Sequence, residues 1–304
     1  MTPGQRKFPS PIGYMLFEEN LYVEEALRQE LSSIGLVCFR DFTQYSSGAV
    51  VSRPSKRDVR TLCLEIEGKK KKYFLKQTGI QHLQIALKSL YQVHVPCSAT
   101  AREISILGLF RNHDIPVMRP VAWGERRLFG WSMGGFILVE EVVGKEFVNV
   151  YRSASLRQRR RLMYIYGELM GTLHHRGIQS KVRPQDLICV SEDYETFRKC
   201  FVVIDRERGQ THPVSLSVKD RGKLLADIWL KSAFTIGTGT FSELRSFLSG
   251  YFEVLGIRRL NQTMCRDLVN EVMARAATIL AYDKRFSDLQ QDIQNKFGIP
   301  PKKQ

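Results

Sequence analysis

The chain has 304 residues, 43% of them hydrophobic and 25% charged, which predicts a folded protein of one or two domains. No stretch reaches the roughly 18 consecutive apolar residues of a transmembrane helix. The N-terminus has no signal-peptide core, so we expect a cytoplasmic protein. The 46 basic residues outnumber the 31 acidic ones, and the net charge of +15 favours anionic partners. The six cysteines are scattered, which predicts buried free thiols rather than a zinc site or disulfides.

Two basic clusters stand out, Lys69–Lys72 and Arg157–Arg161. Each is typical of a solvated turn or helix start. The arginines lie in the first turns of a predicted helix, where the helix dipole disfavours cations, and this favours an anionic partner there. Because the basic residues are not interleaved with aromatics, we expect no nucleic-acid binding. Reversible contact with an anionic membrane face is expected instead.

The first half of the chain has mainly strand-like patterns. After an irregular, proline-containing lead-in, the spacing of apolar residues predicts a helix over residues 17–34 that ends at Gly35. Alternating patterns predict strands over residues 36–77. A helix follows, with Thr100 and Glu103 as a capping box, and it ends near His113 because a proline follows. Two further strands are predicted over residues 120–144.

The second half is predicted to be mainly helical. Residues 156–176 carry apolar side chains at three- and four-residue spacing, and Gly177 is the expected stop. The stretches LICV and CFVVID predict a short pair of strands. Three more helices are expected near residues 220–235, 241–255 and 262–295. Strands first and helices afterwards predict an α+β protein with a small sheet lobe followed by a helical lobe.

Three polar residues stand where phosphoryl transfer needs them. Lys76 ends the strand YFLK, where a lysine for nucleotide phosphates is expected, and Glu103 lies on the next helix, where it can hold that lysine. Asp205 ends the apolar strand FVVI, the place of a magnesium-binding aspartate. Each alone has a plainer explanation, as an edge lysine, a helix cap or a turn aspartate. Their order along the chain favours a kinase.

From about residue 46 to 256 the chain resembles the Kdo/WaaP lipopolysaccharide kinase family. The likeness is carried by YFLKQ, AREISILGLFRNHDIPVMRPVAWGE, FILVEEVVG, MGTLHHRGI, VVIDRER, SVKDRGKLLADIWLKSAFTIG and FLSGYF. The resemblance implies a bilobal protein-kinase-like fold and phosphorylation of the sugar core of lipopolysaccharide, with ATP and Mg²⁺ as cofactors.

By that resemblance Lys76 contacts the nucleotide phosphates, Glu103 pairs with it, and Asp205 holds the metal. Arg208 matches the arginine that follows the metal-binding aspartate. The remaining nucleotide contacts are expected in the covering loop and in the connection between the lobes, at Ser47, Gly48, Glu140 and Val142. The covering loop departs from the pattern, since it has one glycine rather than several. The division implied is a lead-in with helix (1–35), a nucleotide-binding lobe (36–143) and a helical lobe with the catalytic loop and metal-binding segment (144–304).

The larger departure lies in HHRGIQSKVRPQDLICV, residues 174–190, which corresponds to the kinase catalytic loop H-R-D-L-x-x-x-N. Aligned without gaps from Gly177, the H-R-D triplet falls on Ser180, Lys181 and Val182, and the catalytic base is lost. Matching RPQDLICV to the kinase run K-P-x-N plus strand makes Asp186 a second metal ligand. Matching QDL to R-D-L makes Asp186 the base, but then the polar SEDYET must form the next strand. A plain turn aspartate is the third option.

The sequence therefore predicts a phosphotransferase with catalytic contributions from Asp186, Lys181 and Arg183, the two basic residues binding an anionic acceptor or the γ-phosphate. A pseudokinase that binds nucleotide or anionic glycolipid without transfer is the main alternative, followed by a protein-substrate kinase. The expected partners are a nucleotide, an anionic glycolipid or other phosphorylated acceptor, and the inner membrane face. We expect a monomer.

Overall fold

The computed structural model describes residues 17–52, 57–79, 97–205, 210–211, 216–256 and 262–297. These residues form two compact units. The sheet lobe comprises the described parts of Met1–Gly108 and Met118–Glu141, and the helical lobe those of Leu109–Val117 and Val142–Gln304. The predicted α+β class, with an antiparallel sheet lobe and a helical lobe, is confirmed.

The sheet lobe is built on one six-stranded sheet in the order β1-β5-β6-β4-β3-β2, and every neighbouring pair is antiparallel. Its strands are β1 (Phe17–Val23), β2 (Val50–Ser52), β3 (Arg57–Ile66), β4 (Lys69–Thr78), β5 (Pro120–Leu128) and β6 (Trp131–Glu140). Its helices are α1 (Arg28–Ser33), α2 (Phe39–Gln44) and α3 (Ala99–Arg111), the last of which runs on into the helical lobe.

The predicted helix over residues 17–34 is wrong in its first half, which is strand β1. The strand is favoured by partners distant in sequence: Glu19 accepts a hydrogen bond of 3.0 Å from Arg126 Nε on β5, and Tyr22 stacks on Trp123 at 6.2 Å. Such cross-strand pairs stabilise a sheet in ways that a local helical pattern does not reveal.

Helix α2 lies inside the segment for which only strands were predicted. It forms because Phe39 and Phe42 are both buried, and the ring of Phe42 stacks on Phe136 of β6 at a centroid distance of 4.2 Å. The predicted capping box at Thr100 and Glu103 is also wrong. Ser98 is the N-terminal cap of α3, since its hydroxyl accepts a hydrogen bond of 3.0 Å from the amide of Ala101.

The helical lobe contains seven helices and five short strands in the described ranges. The helices are α4 (Phe147–Ser153), α5 (Leu156–His175), α6 (Phe197–Cys200), α7 (Val218–Ile236), α8 (Phe241–Val254), α9 (Gln262–Tyr282) and α10 (Ser287–Phe297). The strands are β7 (Lys145–Glu146), β8 (Ile178–Gln179), β9 (Leu187–Cys189), β10 (Phe201–Val203) and β11 (Gln210–Thr211). β10, β9 and β7 form one small sheet, and β11 pairs with β8.

Most predicted helices of this lobe are confirmed, with one break. Helix α5 is capped by Ser155 and is followed by Gly177 in the left-handed region at φ +72°, as predicted. The helix predicted over residues 262–295 is two helices. Asp283 separates them because its carboxylate accepts a hydrogen bond of 3.1 Å from the amide of Arg285 and begins a new turn.

The cysteines are free, but burial was predicted correctly for only some of them. Cys189 and Cys200 are buried, whereas Cys38 and Cys63 are exposed. None of the helices in the described ranges combines the length and the apolar character needed to cross a bilayer.

The helical lobe depends on close contact between α5 and α8. Two glycines permit it: a Cβ on Gly167 would overlap the carbonyl oxygen of Phe247, and one on Gly250 would overlap that of Tyr164. Helix backbones can approach this closely only where side chains are absent, so neither glycine is replaceable without moving the helices apart.

We predict that Gly167→Ala lowers the thermal unfolding midpoint, because the added methyl group overpacks the α5–α8 contact at a cost of about 1–3 kcal/mol. Gly108→Ala is the control, since open space surrounds Gly108 in helix α3 and the substitution gains about 0.5–1 kcal/mol of helix propensity. Differential scanning calorimetry distinguishes the two. Equal midpoints for both variants would contradict the close-packing account.

Candidate active site

The sheet lobe holds a buried ion pair between Lys76 of β4 and Glu103 of α3. Lys76 Nζ lies 2.6 Å from Glu103 Oε1, and the two side chains are 9% and 0% exposed. The Lys76 ammonium also lies 4.0 Å from Met118 Sδ. Strand β4 places Lys76 there because its central residues, between β3 and β6, are buried on both faces. The structure thus brings these two predicted residues together.

The segment predicted to cover the nucleotide precedes β2 and is exposed at Ser47 and Gly48. Gly48 has φ +84°, and a Cβ at this position would overlap the carbonyl oxygen of Thr61 on β3. Only glycine fits this turn, because it combines a left-handed backbone with contact to the neighbouring strand. A single glycine is therefore enough for the chain to reverse over the sheet edge.

The segment predicted as the connection between lobes begins at Glu140, the last residue of β6. The amide of Glu140 donates a hydrogen bond of 2.9 Å to the carbonyl of Arg119. The Glu140 carboxylate lies 3.4 Å from Lys71 Nζ and 3.3 Å from an Arg119 guanidinium nitrogen. Val142, the first residue of the helical lobe after this strand, is half-buried. The side chain of Glu140 is thus engaged by cations of its own lobe.

In the helical lobe, Asp186 and Asp205 are set by the β9–β10 pair. Asp186 ends a 3-10 turn, Pro184–Asp186, directly before β9, and Asp205 lies two residues after β10. The amide of Ile204 donates a hydrogen bond of 2.8 Å to the carbonyl of Asp186. Asp205 is exposed and has φ +53°, a left-handed conformation that costs a non-glycine residue energy and is found at functional sites.

The carboxylate of Asp186 is buried and held by Arg183. Arg183 Nη2 lies 2.8 Å from Oδ1, while its Nε and its own amide lie 3.1 and 2.9 Å from Oδ2. These hydrogen bonds raise the pKa of Arg183 above its usual value, and the negative charge of Asp205 adds to the effect. Asp186 is only 2% exposed. The Arg183 guanidinium therefore offsets the energetic cost of burying the Asp186 carboxylate.

The position that corresponds to the kinase base is apolar and closed. Val182 is 0% exposed, and its carbonyl accepts a hydrogen bond of 2.6 Å from the Tyr166 hydroxyl. The preceding Lys181 forms an ion pair with Asp227 of α7. The segment is thus fixed to α5 and α7 rather than presenting a carboxylate.

Two alignments with the kinase catalytic loop are possible for Asp186: a metal-ligand register and a base register. The positions of the strands distinguish between them. Strand β9 is Leu187–Cys189, paired with Phe201–Val203, so Asp186 immediately precedes the strand that is hydrogen-bonded to the segment leading to Asp205. Residues 191–196 form no strand. The arrangement favours the metal-ligand register, because the base register needs a strand in that polar stretch.

The two carboxylates fit a magnesium ion of the kind that kinases use. Such an ion needs only one or two protein carboxylates, because phosphate oxygens and water complete its coordination. No group of three candidate metal-ligating side chains occurs in the described ranges, which is compatible with this type of site. Arg208 lies outside the described residues.

Sequence reasoning missed Asp227, which fixes Lys181 by an ion pair. Its helical position alone gives no reason to expect contact with Lys181. The roles of the site residues themselves stay predictions, since hydrogen bonds and ion pairs give their places but not their ligands.

We predict that Glu103→Gln destabilises the sheet lobe by about 3–5 kcal/mol, because it removes the negative charge that lies 2.6 Å from the buried Lys76 ammonium. Lys76→Met/Glu103→Gln removes both charges and recovers most of the loss. Urea unfolding of the two variants and the wild type measures this difference. A double variant as unstable as the single one would contradict it.

The comparisons with known proteins identify the family and the fold. The model of the lipopolysaccharide kinase (Kdo/WaaP) family matches residues 41–245. A solved structure of WaaP in complex with acyl carrier protein is similar at 21% identity and a TM-score of 0.52, over 84% of this chain and 99% of that one, which supports the kinase-like fold. The comparison with curated proteins gives no match. The family match covers more than half of the chain, which belongs to the lipopolysaccharide kinase (Kdo/WaaP) family.

Proposed function

We propose that this chain is an ATP-dependent phosphotransferase that phosphorylates a sugar hydroxyl of a lipopolysaccharide core. The observation that carries the proposal is the buried Lys76–Glu103 pair at 2.6 Å. A buried ion pair contributes little net stability, and apolar residues of similar volume are often as stable. A lobe that nevertheless keeps a paired ammonium on strand β4 has the part that a nucleotide kinase needs for the phosphates.

The helical lobe would supply the metal site. Asp205 would hold Mg²⁺, with Asp186 as a second ligand. When bound, the ion would neutralise the negative charge that develops on the phosphate oxygens during transfer. For Asp186 to bind it, Arg183 would release at least one carboxylate oxygen. The freed guanidinium would then be available for the γ-phosphate, for which its fork of donors is well suited.

The proposed transfer has no carboxylate at Val182 to accept a proton. The acceptor oxygen would form a bond to the γ-phosphorus as the bond from phosphorus to the leaving oxygen breaks, and the hydroxyl proton would pass to solvent or to the transferred phosphate. The transition state of such reactions is loose, so positioning and charge neutralisation contribute most. A missing base typically costs 10²–10⁴-fold in rate. We therefore expect slow transfer.

A nucleotide-binding pseudokinase is the second candidate. It is favoured by the buried, apolar Val182 and by the guanidinium on both oxygens of Asp186. Both candidates require that Lys76 binds the nucleotide phosphates, and they differ only in transfer.

The binding partners and the location that we propose for the protein follow from its charge and its family. An anionic glycolipid acceptor suits a net charge of +15, and reversible attachment to the cytoplasmic membrane face would bring the enzyme to it. The similar WaaP structure contains acyl carrier protein, which makes such a carrier a partner to test. We propose a monomer in which residues 36–143 bind the nucleotide and residues 144–304 supply the metal ligands.

We predict that ATP with Mg²⁺ raises the thermal midpoint of the wild type, since ligand at 100 times Kd adds about 2.7 kcal/mol. Lys76→Ala removes the phosphate contact and abolishes the ATP-induced shift, measured against the variant's own ligand-free midpoint. Lys70→Ala, on the exposed start of the same strand, is the control and retains the shift. A wild type that does not respond to ATP with Mg²⁺ or Mn²⁺ rules out both candidates.

Transfer itself is tested with radiolabelled ATP and a lipopolysaccharide core acceptor. We predict slow transfer by the wild type and a larger loss for Asp205→Asn than for Asp186→Asn, because Asp205 holds the metal in either register of Asp186. Asp193→Asn, in the exposed polar loop, is the control. ATP binding without transfer to any acceptor would establish the pseudokinase. Equal rates in all variants would show that neither aspartate acts.

A further inference from the structure

The peptide group between Val182 and Arg183 is hydrogen-bonded on both of its edges. Its carbonyl oxygen accepts a hydrogen bond of 2.6 Å from the Tyr166 hydroxyl, and its N–H donates one of 2.9 Å to Oδ2 of Asp186. A peptide unit is planar and trans, so its C=O and its N–H point in opposite directions. The Tyr166 hydroxyl therefore sets the plane of this peptide, and with it the direction in which the N–H meets the carboxylate.

Tyr166 can set this plane because its own ring is fixed. The residue is 2% exposed, and its ring packs edge-on against Phe247 of α8, at a centroid distance of 5.4 Å, and tilted against Phe147 of α4, at 5.7 Å. Packing of this kind fixes the rotamer of a side chain. Helix α5 thus presents a hydrogen-bond donor at a defined place beside the segment that corresponds to the catalytic loop.

Two other contacts hold the same segment, but neither involves this peptide group. The side chain of Val182 is 0% exposed, and Lys181 forms an ion pair with Asp227 of α7. A peptide plane can still rotate about the single bonds on either side of it when neighbouring side chains stay in place. The orientation of the peptide therefore depends on the hydrogen bond from Tyr166.

The two oxygens of the Asp186 carboxylate are held in different ways. Oδ1 lies 2.8 Å from Nη2 of Arg183, whereas Oδ2 lies 3.1 Å from Nε and also accepts the backbone hydrogen bond of 2.9 Å. The guanidinium can withdraw by a change of rotamer, but the amide keeps its place while Tyr166 holds its peptide. Oδ1 is therefore the oxygen that can turn to a metal ion while Oδ2 keeps its amide bond.

We propose that Tyr166 is a positioning residue for Asp186. Acting through the peptide between Val182 and Arg183, its hydroxyl holds Oδ2 in place and thereby directs Oδ1 toward the metal ion. The part of the proposal that concerns the metal rests on the proposed function, whereas the hold on the carboxylate exists without any ligand. It gives the hydroxyl a role beyond packing, since a phenylalanine would fill the same space without the donor.

The first test measures hydrogen exchange of the Arg183 amide by NMR in the ligand-free full chain. Tyr166→Phe keeps the ring and removes the donor, so we expect this amide to exchange about tenfold faster, as for the loss of one hydrogen bond. The reference is the amide of Leu169, which is buried in helix α5. An Arg183 amide that exchanges no faster relative to Leu169 in Tyr166→Phe than in the wild type would overturn the proposal.

Tyr151→Phe is the matched control. Tyr151 is also buried in the helical lobe, but its hydroxyl donates a hydrogen bond of 2.8 Å to Glu243 of α8. Each variant loses one buried hydrogen bond, and we expect similar falls in thermal midpoint. Only Tyr166→Phe should change the exchange of the Arg183 amide relative to that of Leu169. An equal change in both variants would show a general loss of stability and would overturn the proposal.

The second test measures Mn²⁺ binding by electron paramagnetic resonance in the presence of a non-hydrolysable ATP analogue. We expect Tyr166→Phe to raise the Kd of Mn²⁺ about tenfold, since hydrogen-bond partners that orient a metal ligand contribute about 10–100-fold to metal affinity. Tyr151→Phe should bind Mn²⁺ like the wild type. Mn²⁺ affinity unchanged in Tyr166→Phe would overturn the proposal.

A double variant shows whether Tyr166 acts through Asp186. Tyr166→Phe/Asp186→Asn should bind Mn²⁺ no more weakly than Asp186→Asn alone, because the hydroxyl has no carboxylate left to position. Losses that add in the double variant would contradict this route. Circular dichroism verifies that each variant is folded, and if Asp186→Asn does not fold, the exchange of the Arg183 amide in Tyr166→Phe decides.

The hold on Asp186 and the proposed function can fail separately. A wild type that binds no Mn²⁺ with the nucleotide, together with selectively faster exchange of the Arg183 amide in Tyr166→Phe, would reject the kinase and support the hold of Tyr166 on Asp186. Binding of Mn²⁺ and nucleotide that is the same in Tyr166→Phe as in the wild type would do the reverse.

Discussion

The geometry of the segment around β9 and β10 depends on how Asp186 is held. Its carbonyl accepts a hydrogen bond from Ile204, one residue before Asp205, and its carboxylate is bound by the guanidinium and the amide of Arg183. A carboxylate that is 2% exposed would be costly without such compensation. The Asp186 side chain therefore fixes Arg183, whereas the bond to Ile204 uses the backbone carbonyl, which any residue at this position supplies.

The sheet lobe contains another buried charged group, the ammonium of Lys76. The carboxylate of Glu103 neutralises it. The two lobes thus show the same pattern: a buried charged group is paired with a group of opposite charge in its own lobe. In the helical lobe, the Asp186 carboxylate meets Arg183 through both of its oxygens.

Much of this was predictable from the sequence, for physical reasons. Helix α5 has a long apolar stripe, a serine cap and a terminal glycine, all of them local signals. The pairing of Lys76 with Glu103 could be predicted because the kinase pattern has a lysine on a strand and its carboxylate partner on the following helix. Strand β1 could not be predicted, because it is stabilised by Arg126 and Trp123, which lie roughly a hundred residues away in the sequence. Helix α2 was missed for the same reason, as the ring of Phe136 decides its burial.

The site was predictable in its residue types and less so in their partners. The polar loop before α6 gave no local sign of whether Asp186 precedes a strand, and only the pairing of Leu187–Cys189 with Phe201–Val203 identifies its place. The contacts of Lys181 with Asp227, and of Arg183 with Asp186, likewise need the folded chain. They change the expected role of the two basic residues, because each already neutralises a carboxylate before any acceptor binds.

The central claim is that Asp186 becomes a metal ligand when nucleotide binds. It is tested most directly by a crystal structure with a non-hydrolysable ATP analogue and Mn²⁺, with the metal located by its anomalous scattering. The account predicts Mn²⁺ within coordination distance of carboxylate oxygens of both Asp205 and Asp186, with Arg183 withdrawn from at least one oxygen of Asp186. Nucleotide bound with the Arg183–Asp186 contacts intact and no metal at Asp186 would contradict it.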